Sequence, residues 1–463
     1  MTCARAVARA LLLLTAAIPG ARGQLPEAGS TMAQSALDRL AHRGRALLIA
    51  AHPDDENTAL LAWLARGRHV DTAYLSLTRG EGGQNLIGPE QGSLLGLIRT
   101  EELLAARRMD GAAQMFTRAV DFGYSKRPEE AFTKWGREQV LGDVVLAIRR
   151  FRPDVIILRF SGTPRDGHGH HQASAILGRE AFEAAADASR FPEQLTSVKP
   201  WRARRLVSNA LSFTPEQEKE AAALPGRVEL DLGAYSPMLG YSWSEIAAIS
   251  RSQHRSQGMG TPRHRGAQKN YFVHLAGEPF ERDLFEGVEL TSRVGEFRRA
   301  AQEFDHRDPA RVVPLLLAGR PRAEDKVAVD EAIALCTGLH LRATADRPYA
   351  AWGSSVRIGV EAVNRSTVPL MLEEVKAGPA GALKPAAELR DNVPLAYQLQ
   401  WRSSEPVHIS SDHLAALPDP ALKVRFLIRA QDQVLELERP VVHLYVDKIQ
   451  GELSRPFLPG PPV

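Results

Sequence analysis

The fold of this protein is decided by the stretch Ala46-Leu-Leu-Ile-Ala-Ala51, which runs directly into His52-Pro-Asp-Asp-Glu56. The apolar run has the length and composition of a fully buried β-strand. An imidazole and two carboxylates therefore follow the end of this strand. In an open α/β sheet, ligands bind at the carboxyl ends of the strands. His and Asp side chains packed this closely can supply metal ligands and a general base together.

Apolar runs alternate with helical patterns from about residue 45 to residue 210. The strand candidates are Arg45–Ala51, Val70–Leu77, Met115–Val120, Val155–Phe160 and Arg205–Asn209. The helical candidates are Asn57–Ala65, Leu95–Met109, Glu129–Arg150 and His171–Ala186. This alternation predicts a three-layer, Rossmann-like α/β fold with a mostly parallel sheet. Right-handed crossovers would bring the polar loops after the strands to one edge.

The pattern changes in the last third of the chain. Residues 291–340 have helical periodicity, whereas Ser355–Val363 alternates strictly between apolar and polar residues, as a half-buried strand does. We therefore predict a helical segment followed by a small C-terminal β-sandwich-like domain. The expected organisation is a signal peptide at 1–23, an α/β domain at 24–290, a helical connector at 291–340 and a β-rich accessory domain at 341–463.

The N-terminus has the pattern of a secretory signal, with two arginines before the short apolar run Ala10–Ile18. Its removal would take away Arg5, Arg9 and Arg22 and no acidic residue, so the formal charge would fall from +3 to 0. The neutral remainder argues against nucleic acid or an anionic membrane as a partner. We expect an extracytoplasmic protein, periplasmic or secreted, with no stable membrane anchor.

Cysteine usage excludes some kinds of site. The chain has two cysteines, Cys3 and Cys336, and the first lies in the predicted signal. The mature chain would therefore have no internal disulfide and no zinc site built from thiolates. A hydrophobic content of 44% and a charged content of 24% are those of a soluble globular protein.

A second polar cluster, Arg165-Asp-Gly-His-Gly-His-His171, follows the strand candidate Val155–Phe160. If both strands are central, the two clusters can converge. Two ligands from the first cluster and one His from the second would give a His₂Asp site with an open position, as in catalytic zinc sites. A third segment, Leu77-Thr-Arg-Gly-Glu-Gly-Gly-Gln-Asn85, follows the second strand, and its glycines allow the backbone to approach a ligand closely.

These three segments resemble the PIG-L / LmbE-like family of zinc-dependent N-acetylglucosaminyl deacetylases. The resemblance covers residues 45 to about 260 and implies one Zn²⁺ per chain, or another divalent metal. It implies His52, Asp55 and His171 as metal ligands and Asp54 as the general base that activates water. His168 would be protonated and would stabilise the oxyanion or assist the leaving amine.

One position departs from the family pattern and leaves the ligand assignment open. The residue before the ligand His is often Asp in the family, and in this chain it is His170. Either His170 or His171 could therefore bind the metal, although the His-x-x-His spacing from His168 favours His171.

Substrate contacts are suggested by three further residues. Arg79 and Arg99 are candidates for binding hydroxyl or phosphate groups, and Asp121, after the third strand, could hold a sugar hydroxyl. The alternatives are structural. Arg99 could pair with Glu102 on a solvated helix face, and Asp121 could cap a helix or turn.

The resemblance implies a metal-dependent hydrolase that removes the N-acetyl group from an N-acetylglucosamine-type glycoside or oligosaccharide. Two alternatives stay open at this point. One is a metal-dependent hydrolase of another amide or of a phosphoester. The other is a non-catalytic extracytoplasmic protein that binds carbohydrate through its β-rich domain.

Overall fold

The computed structural model describes residues 29–210, 214–378, 381–402, 414–415 and 422–460. The predicted signal peptide, residues 1–23, lies outside these ranges. In the part of the chain that is described, helices are too short or too polar to cross a membrane.

A mostly parallel sheet of seven strands occupies the first half of the described chain. The strands up to residue 277 are β1 (Arg45–Ala50), β2 (Asp71–Ser76), β3 (Ala113–Phe116), β4 (Val155–Leu158), β5 (Arg205–Ala210), β6 (Arg227–Asp231), β7 (Tyr235–Ser236), β8 (Tyr241–Ser242) and β9 (Lys269–Gly277). The strand order is β3-β2-β1-β4-β5-β9-β6, and β7 and β8 form a separate hairpin. The first five strands are parallel, and β9 and β6 continue the sheet with antiparallel pairing.

Eight helices lie in this part of the described chain, and six of them form two groups. They are α1 (Ser30–Ala41), α2 (Thr58–Ala62, continued by a π-helical turn at Trp63–Gly67), α3 (Ser93–Asp110), α4 (Pro128–Trp135), α5 (Arg137–Phe151), α6 (Gly169–Ala184), α7 (Pro215–Ala222) and α8 (Trp243–Arg251), with 3₁₀ turns at Pro164–Asp166 and Pro192–Thr196. Helices α2, α3 and α8 pack together, and so do α4, α5 and α6. Because the chain runs outward from β1 to β3 and then returns through β4 and β5, right-handed crossovers place the two groups on opposite faces.

This topology confirms the predicted three-layer α/β fold and locates its ligand-binding crevice. The strand order reverses between β1 and β4, which are adjacent and parallel. In doubly wound sheets, the crevice outside the carboxyl ends of the strands at such a reversal is the place where ligands bind. Both His- and Asp-rich segments of the sequence follow these two strands.

The predicted limits of the third strand were wrong. The strand was expected at Met115–Val120 and is observed at Ala113–Phe116. The hydroxyl of Thr117 donates to the carbonyl of Leu77 at 2.5 Å and accepts from the amide of Ala119 at 3.1 Å. These side-chain hydrogen bonds turn the chain out of the sheet, and the apolar run after Phe116 therefore becomes a loop.

The helix predicted at Glu129–Arg150 is divided in two. Helix α4 ends and α5 begins at Gly136, whose φ of 74° lies in the region that favours glycine. The apolar periodicity continues across this break, which is why the sequence pattern indicated one helix.

The C-terminal part is rich in strands, as predicted. Its helices are α9 (Gly295–Gln302), α10 (Val313–Gly319) and α11 (Lys326–Cys336), with 3₁₀ turns at Pro309–Val312 and Arg320–Arg322. Its strands are β10 (His340–Ala345), β11 (Tyr349–Ala351), β12 (Ser355–Val363), β13 (Leu370–Ala377), β14 (Ala382–Leu383), β15 (Ala387–Leu389), β16 (Leu395–Arg402), β17 (Lys423–Ala430), β18 (Gln433–Asp447), β19 (Gly451–Pro456) and β20 (Leu458–Gly460).

The long strand β18 joins two groups of strands. Its first half pairs with β17, and its second half pairs with β10 and β19. The buried apolar faces of both groups form one core together with α9, α10 and α11. Helix α1 contributes Ala33 and Leu37 to this same core although it precedes the first strand of the α/β sheet.

A two-residue contact attaches the C-terminal part to the edge of the α/β sheet. The carbonyl of Leu414 accepts from the amide of Phe116 on the edge strand β3 at 3.1 Å. The Leu414 side chain is 1% exposed and belongs to the core of the α/β sheet. The next carbonyl, of Ala415, accepts from Nη2 of Arg79 at 2.8 Å.

We expect the substitution Leu414→Ala to lower the free energy of unfolding by about 2–5 kcal/mol, because it removes a buried side chain and leaves a cavity. Leu86 is 63% exposed, and the same change there should alter stability by less than about 0.5 kcal/mol. Chemical denaturation of both variants tests this. Equal stability of the two variants would contradict the burial of Leu414.

Candidate active site

Two polar segments meet in the crevice between β1 and β4. His52–Glu56 directly follows β1, and His168–His171 forms the start of helix α6, which follows β4. The imidazole rings of His52, His168 and His171 lie with their centroids 5.0–5.2 Å apart. The sequence-predicted ligands and catalytic groups are therefore brought to one place by the parallel pairing of β1 with β4.

The three predicted metal ligands are close enough to bind one ion. Nδ1 of His52 lies 3.1 Å from Oδ2 of Asp55, and Nε2 of His171 lies 3.4 Å from Oδ1 of Asp55. One ligand atom from each of these residues falls within 4.8 Å of the other two. Metal–ligand bonds of about 2.0 Å at tetrahedral angles separate neighbouring ligand atoms by about 3.3 Å. The donor set and its spacing therefore fit a zinc-like ion.

A second group of potential ligands overlaps the first. His52, His168 and His170 also offer nitrogens within 4.8 Å of one another, and Nε2 of His52 lies 2.9 Å from Nδ1 of His170. His170 is fully buried, with its ring against Phe122 and Trp135. Asp55 belongs only to the first group, with His52 and His171. A site with the expected two histidines and one aspartate is therefore formed with His171 and not with His170.

The carboxylate of Asp55 is held in its ionised form. Burial alone would raise its pKa, but the neighbouring His171 and His52 outweigh that effect and hold the pKa of Asp55 well below its ordinary value. Asp55 Oδ2 also accepts the main-chain amide of His52 at 2.7 Å. An ionised carboxylate between two imidazoles is ready to act as a metal ligand without first losing a proton.

Asp54 stands beside Asp55 in a different environment. Its pKa is raised, chiefly by burial, although Arg99 opposes the rise. The Arg99 guanidinium Nη2 lies 3.2 Å from Oδ2 of Asp54. The backbone of Asp54 has a φ of 92°, which is strained for a residue other than glycine. Two adjacent carboxyl groups thus have pKa values displaced in opposite directions, which is how one site obtains both an anionic ligand and a proton acceptor.

His168 is neutral in this arrangement. Burial, together with His52 and His171, lowers the pKa of His168 to about 4. As the N-cap of α6, its Nδ1 accepts the amide of His170 at 3.2 Å. We infer from this hydrogen bond that Nε2 carries the proton of the neutral ring. The expectation of a protonated His168 is therefore not met, because its cap position assigns Nδ1 the role of acceptor.

The three predicted substrate contacts are engaged with the protein itself. Arg79 donates to the carbonyl of Ala415, and its guanidinium lies 4.1 Å from the ring centroid of Phe116. Arg99 is 3% exposed and donates to the carbonyl of Gly80 at 2.9 Å. It therefore does not lie on a solvated helix face. A direct contact of Arg79 or Arg99 with substrate stays a prediction.

Asp121 lies near His170 and Arg99 and is 6% exposed. Its Oδ1 accepts the amide of Gly123 at 2.9 Å and lies 3.7 Å from Nδ1 of His170. Its Oδ2 lies 4.0 Å from Nη1 of Arg99. Through the hydrogen bond to Gly123, Asp121 caps a turn, as the predicted alternative proposed. A role of Asp121 in holding a sugar hydroxyl stays a prediction.

Glu56 has a role that its place in the sequence did not indicate. It precedes α2, which begins at Thr58. Glu56 is 1% exposed and accepts from Arg107 at 2.9 Å, while Nε2 of His254 lies 3.1 Å from the same oxygen. The hint in the sequence was that α3 places charged residues among its apolar ones, and these are the buried Arg99, Glu102, Arg107 and Asp110.

Comparison with known proteins connects this geometry to a family. The profile of PIG-L, described as GlcNAc-PI de-N-acetylase, matches residues 47–182. This range begins inside β1 and ends inside α6, and it therefore contains both segments that form the crevice. Among known proteins, a 1D-myo-inositol 2-acetamido-2-deoxy-alpha-D-glucopyranoside deacetylase 3 of Catenulispora acidiphila is 26% identical over 317 residues, which are 54% of this chain and 88% of that protein.

Two other relatives carry related names. The diacetylchitobiose deacetylase of Thermococcus kodakarensis is 30% identical over 143 residues, which cover 30% of this chain and 50% of that protein. The mycothiol S-conjugate amidase of Streptomyces coelicolor is 31% identical over 227 residues, covering 45% of this chain and 74% of that protein. Because the amidase is 31% identical to this chain and is covered over 74% of its own length, the chain belongs to the PIG-L family, whose profile matches residues 47–182.

Proposed function

We propose that this protein is a metal-dependent N-deacetylase that acts on an N-acetylglucosamine-type glycoside or oligosaccharide. One observation carries the proposal. The carboxylate of Asp55 lies between His52 and His171, and the adjacent Asp54 has a raised pKa. A metal-ligand set beside a separate proton acceptor is what the hydrolysis of an amide needs.

The proposed substrate class comes from the relatives. The names of two of them describe the removal of acetyl groups from an acetamido-glucopyranoside of inositol and from diacetylchitobiose. Both names specify an N-acetylated glucosamine unit, and the third describes an amidase. We transfer to this chain only the shared element, which is an amide on a glucosamine-like sugar.

His52, Asp55 and His171 would hold the metal, and Zn²⁺ is the ion that suits two imidazoles and one carboxylate. When bound, the ion would polarise the amide carbonyl and lower the pKa of water to about 7. The ionised state of Asp55 favours binding, because no proton has to be displaced from that ligand.

Asp54 and His168 would move and hold the protons. Asp54 would take a proton from the attacking water and return it to the leaving amine. The Nε2–H of neutral His168 would donate to the oxygen that becomes negative in the tetrahedral intermediate. A neutral donor suffices for this role, because the hydrogen bond need only become stronger as charge develops on the oxygen.

Acetate release from the purified full chain tests the proposal. The panel comprises N-acetylglucosamine, N,N′-diacetylchitobiose and an N-acetylglucosaminyl inositol, each assayed before chelation, after chelation and after Zn²⁺ is restored. We expect acetate release that is lost with the metal and recovered with it. Acetate release that persists in fully metal-free protein would contradict the metal-dependent reaction.

A phosphoester in the same panel separates the main alternative. Release of phosphate from p-nitrophenyl phosphate without any release of acetate would contradict the proposed deacetylase. Export of the protein stays a prediction that rests on residues 1–23. Because an exported enzyme would meet extracellular glycans, the panel includes N,N′-diacetylchitobiose.

A further inference from the structure

The turn after β1 is held by its main-chain carbonyls. Four successive carbonyl groups each accept a hydrogen bond from a different side chain, and each side chain comes from a different part of the fold. The pairs are His52 with Tyr74 Oη at 2.5 Å, Pro53 with Arg99 Nη2 at 2.7 Å, Asp54 with Arg251 Nη1 at 3.1 Å, and Asp55 with Arg159 Nε at 2.9 Å. We call this set of contacts the carbonyl clamp.

The clamp encloses a residue with a strained backbone. Asp54 has a φ of 92°, and a positive φ in a residue other than glycine persists only when the surrounding structure imposes it. Its amide donates to Oε2 of Glu56 at 2.9 Å, and its carbonyl accepts from Arg251. The peptide groups on both sides of Asp54 are therefore fixed by side chains.

Each donor in the clamp arises from an element packed against the turn. Tyr74 lies on β2, Arg99 on α3, Arg159 directly after β4, and Arg251 is the last residue of α8. Three of them are buried and have other structural contacts, such as that of Arg159 with Asn209 at 3.0 Å. Arg251 is half-buried, and its Nη2 contacts the sulfur of Met259 at 3.3 Å. Its substitution therefore acts mainly on Asp54.

We infer that Arg251 is a positioning residue for Asp54. By holding the Asp54 carbonyl, it keeps the peptide in the strained conformation that directs the carboxylate of Asp54 away from the ligand position of Asp55. This inference rests on the proposed function, in which Asp54 is the general base. Arg251 lies beyond residues 47–182, which the family profile matches.

The test compares Arg251→Ala, Arg251→Lys and the control Arg66→Ala. Arg66 is likewise half-buried, and its Nη2 donates to a main-chain carbonyl, that of Arg108, at 2.8 Å. We expect Arg251→Ala to lower kcat for acetate release by about 10–100-fold, because a small displacement of a catalytic group has effects of this size. KM and bound metal should remain near wild-type values.

Arg251→Lys should recover much of the lost kcat, because an ammonium group can still donate to the Asp54 carbonyl. Arg66→Ala should leave kcat unchanged while it lowers the melting temperature about as much as Arg251→Ala does. Equal kcat in the two alanine variants would overturn the inference. So would a rise in KM at unchanged kcat, which would indicate a substrate contact, or loss of the metal.

A structural measurement keeps this test separate from that of the proposed function. Absence of acetate release by the wild-type protein would reject the proposed function and not the positioning of Asp54. Crystal structures of the wild-type and Arg251→Ala proteins answer the second question directly. We expect φ of Asp54 to leave the positive region in the variant, and an unchanged Asp54 would overturn the inference whatever the activity.

Discussion

Replacing Asp54 by Asn is expected to lower kcat for acetate release by about 10²–10⁴-fold, the contribution that a general base makes to such reactions. Asn has the shape of Asp and tolerates a positive φ, so the strained turn should persist. The amide cannot accept a proton, and the reaction should therefore lose its base while the metal stays bound. Steady-state kinetics and metal analysis of the same preparation measure both effects.

Asp283→Asn is the matched control for this experiment. The side chains of Asp54 and Asp283 are 12% and 36% exposed, and each carboxylate faces one arginine, with Asp283 lying 2.6 Å from Arg68. The control should keep the wild-type kcat and metal content. Turnover of Asp54→Asn at the level of the control, with full metal occupancy, would contradict the role of Asp54 as the base.

The substitution His171→Asn is expected to weaken metal binding by about 100-fold or more. Loss of a residue that merely supports a ligand commonly costs 10–100-fold, and loss of a ligand should exceed that. The atom of His171 that faces Asp55 is Nε2, and Asn is too short to replace it. Dialysis against metal buffers followed by elemental analysis gives the affinity.

His170→Asn serves as the comparison, because Asn can imitate the Nδ1 atom with which His170 faces His52 at 2.9 Å. This variant should keep about one metal per chain with a smaller loss of affinity. The opposite result, in which His170→Asn loses the metal and His171→Asn keeps it, would assign the site to His52, His168 and His170. That outcome would leave Asp55 without a role as ligand.

Local pattern sufficed to predict most of the α/β sheet. The apolar runs predicted as strands at Arg45–Ala51 and Val155–Phe160 contain the observed strands Arg45–Ala50 and Val155–Leu158. Short apolar runs of this kind are typical of buried strands. The predicted limits of the third strand were wrong because a single contact decided where it ends. The hydroxyl of Thr117 ends β3 by bonding to Leu77, forty residues earlier in the chain, and hydrophobic periodicity carries no information about such a bond.

The chemical groups of the site were also evident in the sequence. His52, Asp54 and Asp55 are adjacent, and the spacing of His168 and His171 is that of a helix start. Their convergence depended on β1 and β4 being neighbours, which the reversal of strand order in the sheet decided. The neutral state of His168 could be inferred only from the tertiary structure, in which its ring caps α6.

By itself, the sequence determined the fold class and the two polar segments, because these depend on residue type and short spacing. The division of the carboxylates into a candidate ligand and a candidate base was implied by the resemblance to the PIG-L family. The tertiary structure decided how the turn after β1 is held. The side chains that donate to its carbonyls come from positions up to about two hundred residues away, and they are Tyr74, Arg99, Arg159 and Arg251. Contacts over such separations depend on packing of whole elements, and packing is a property of the folded chain.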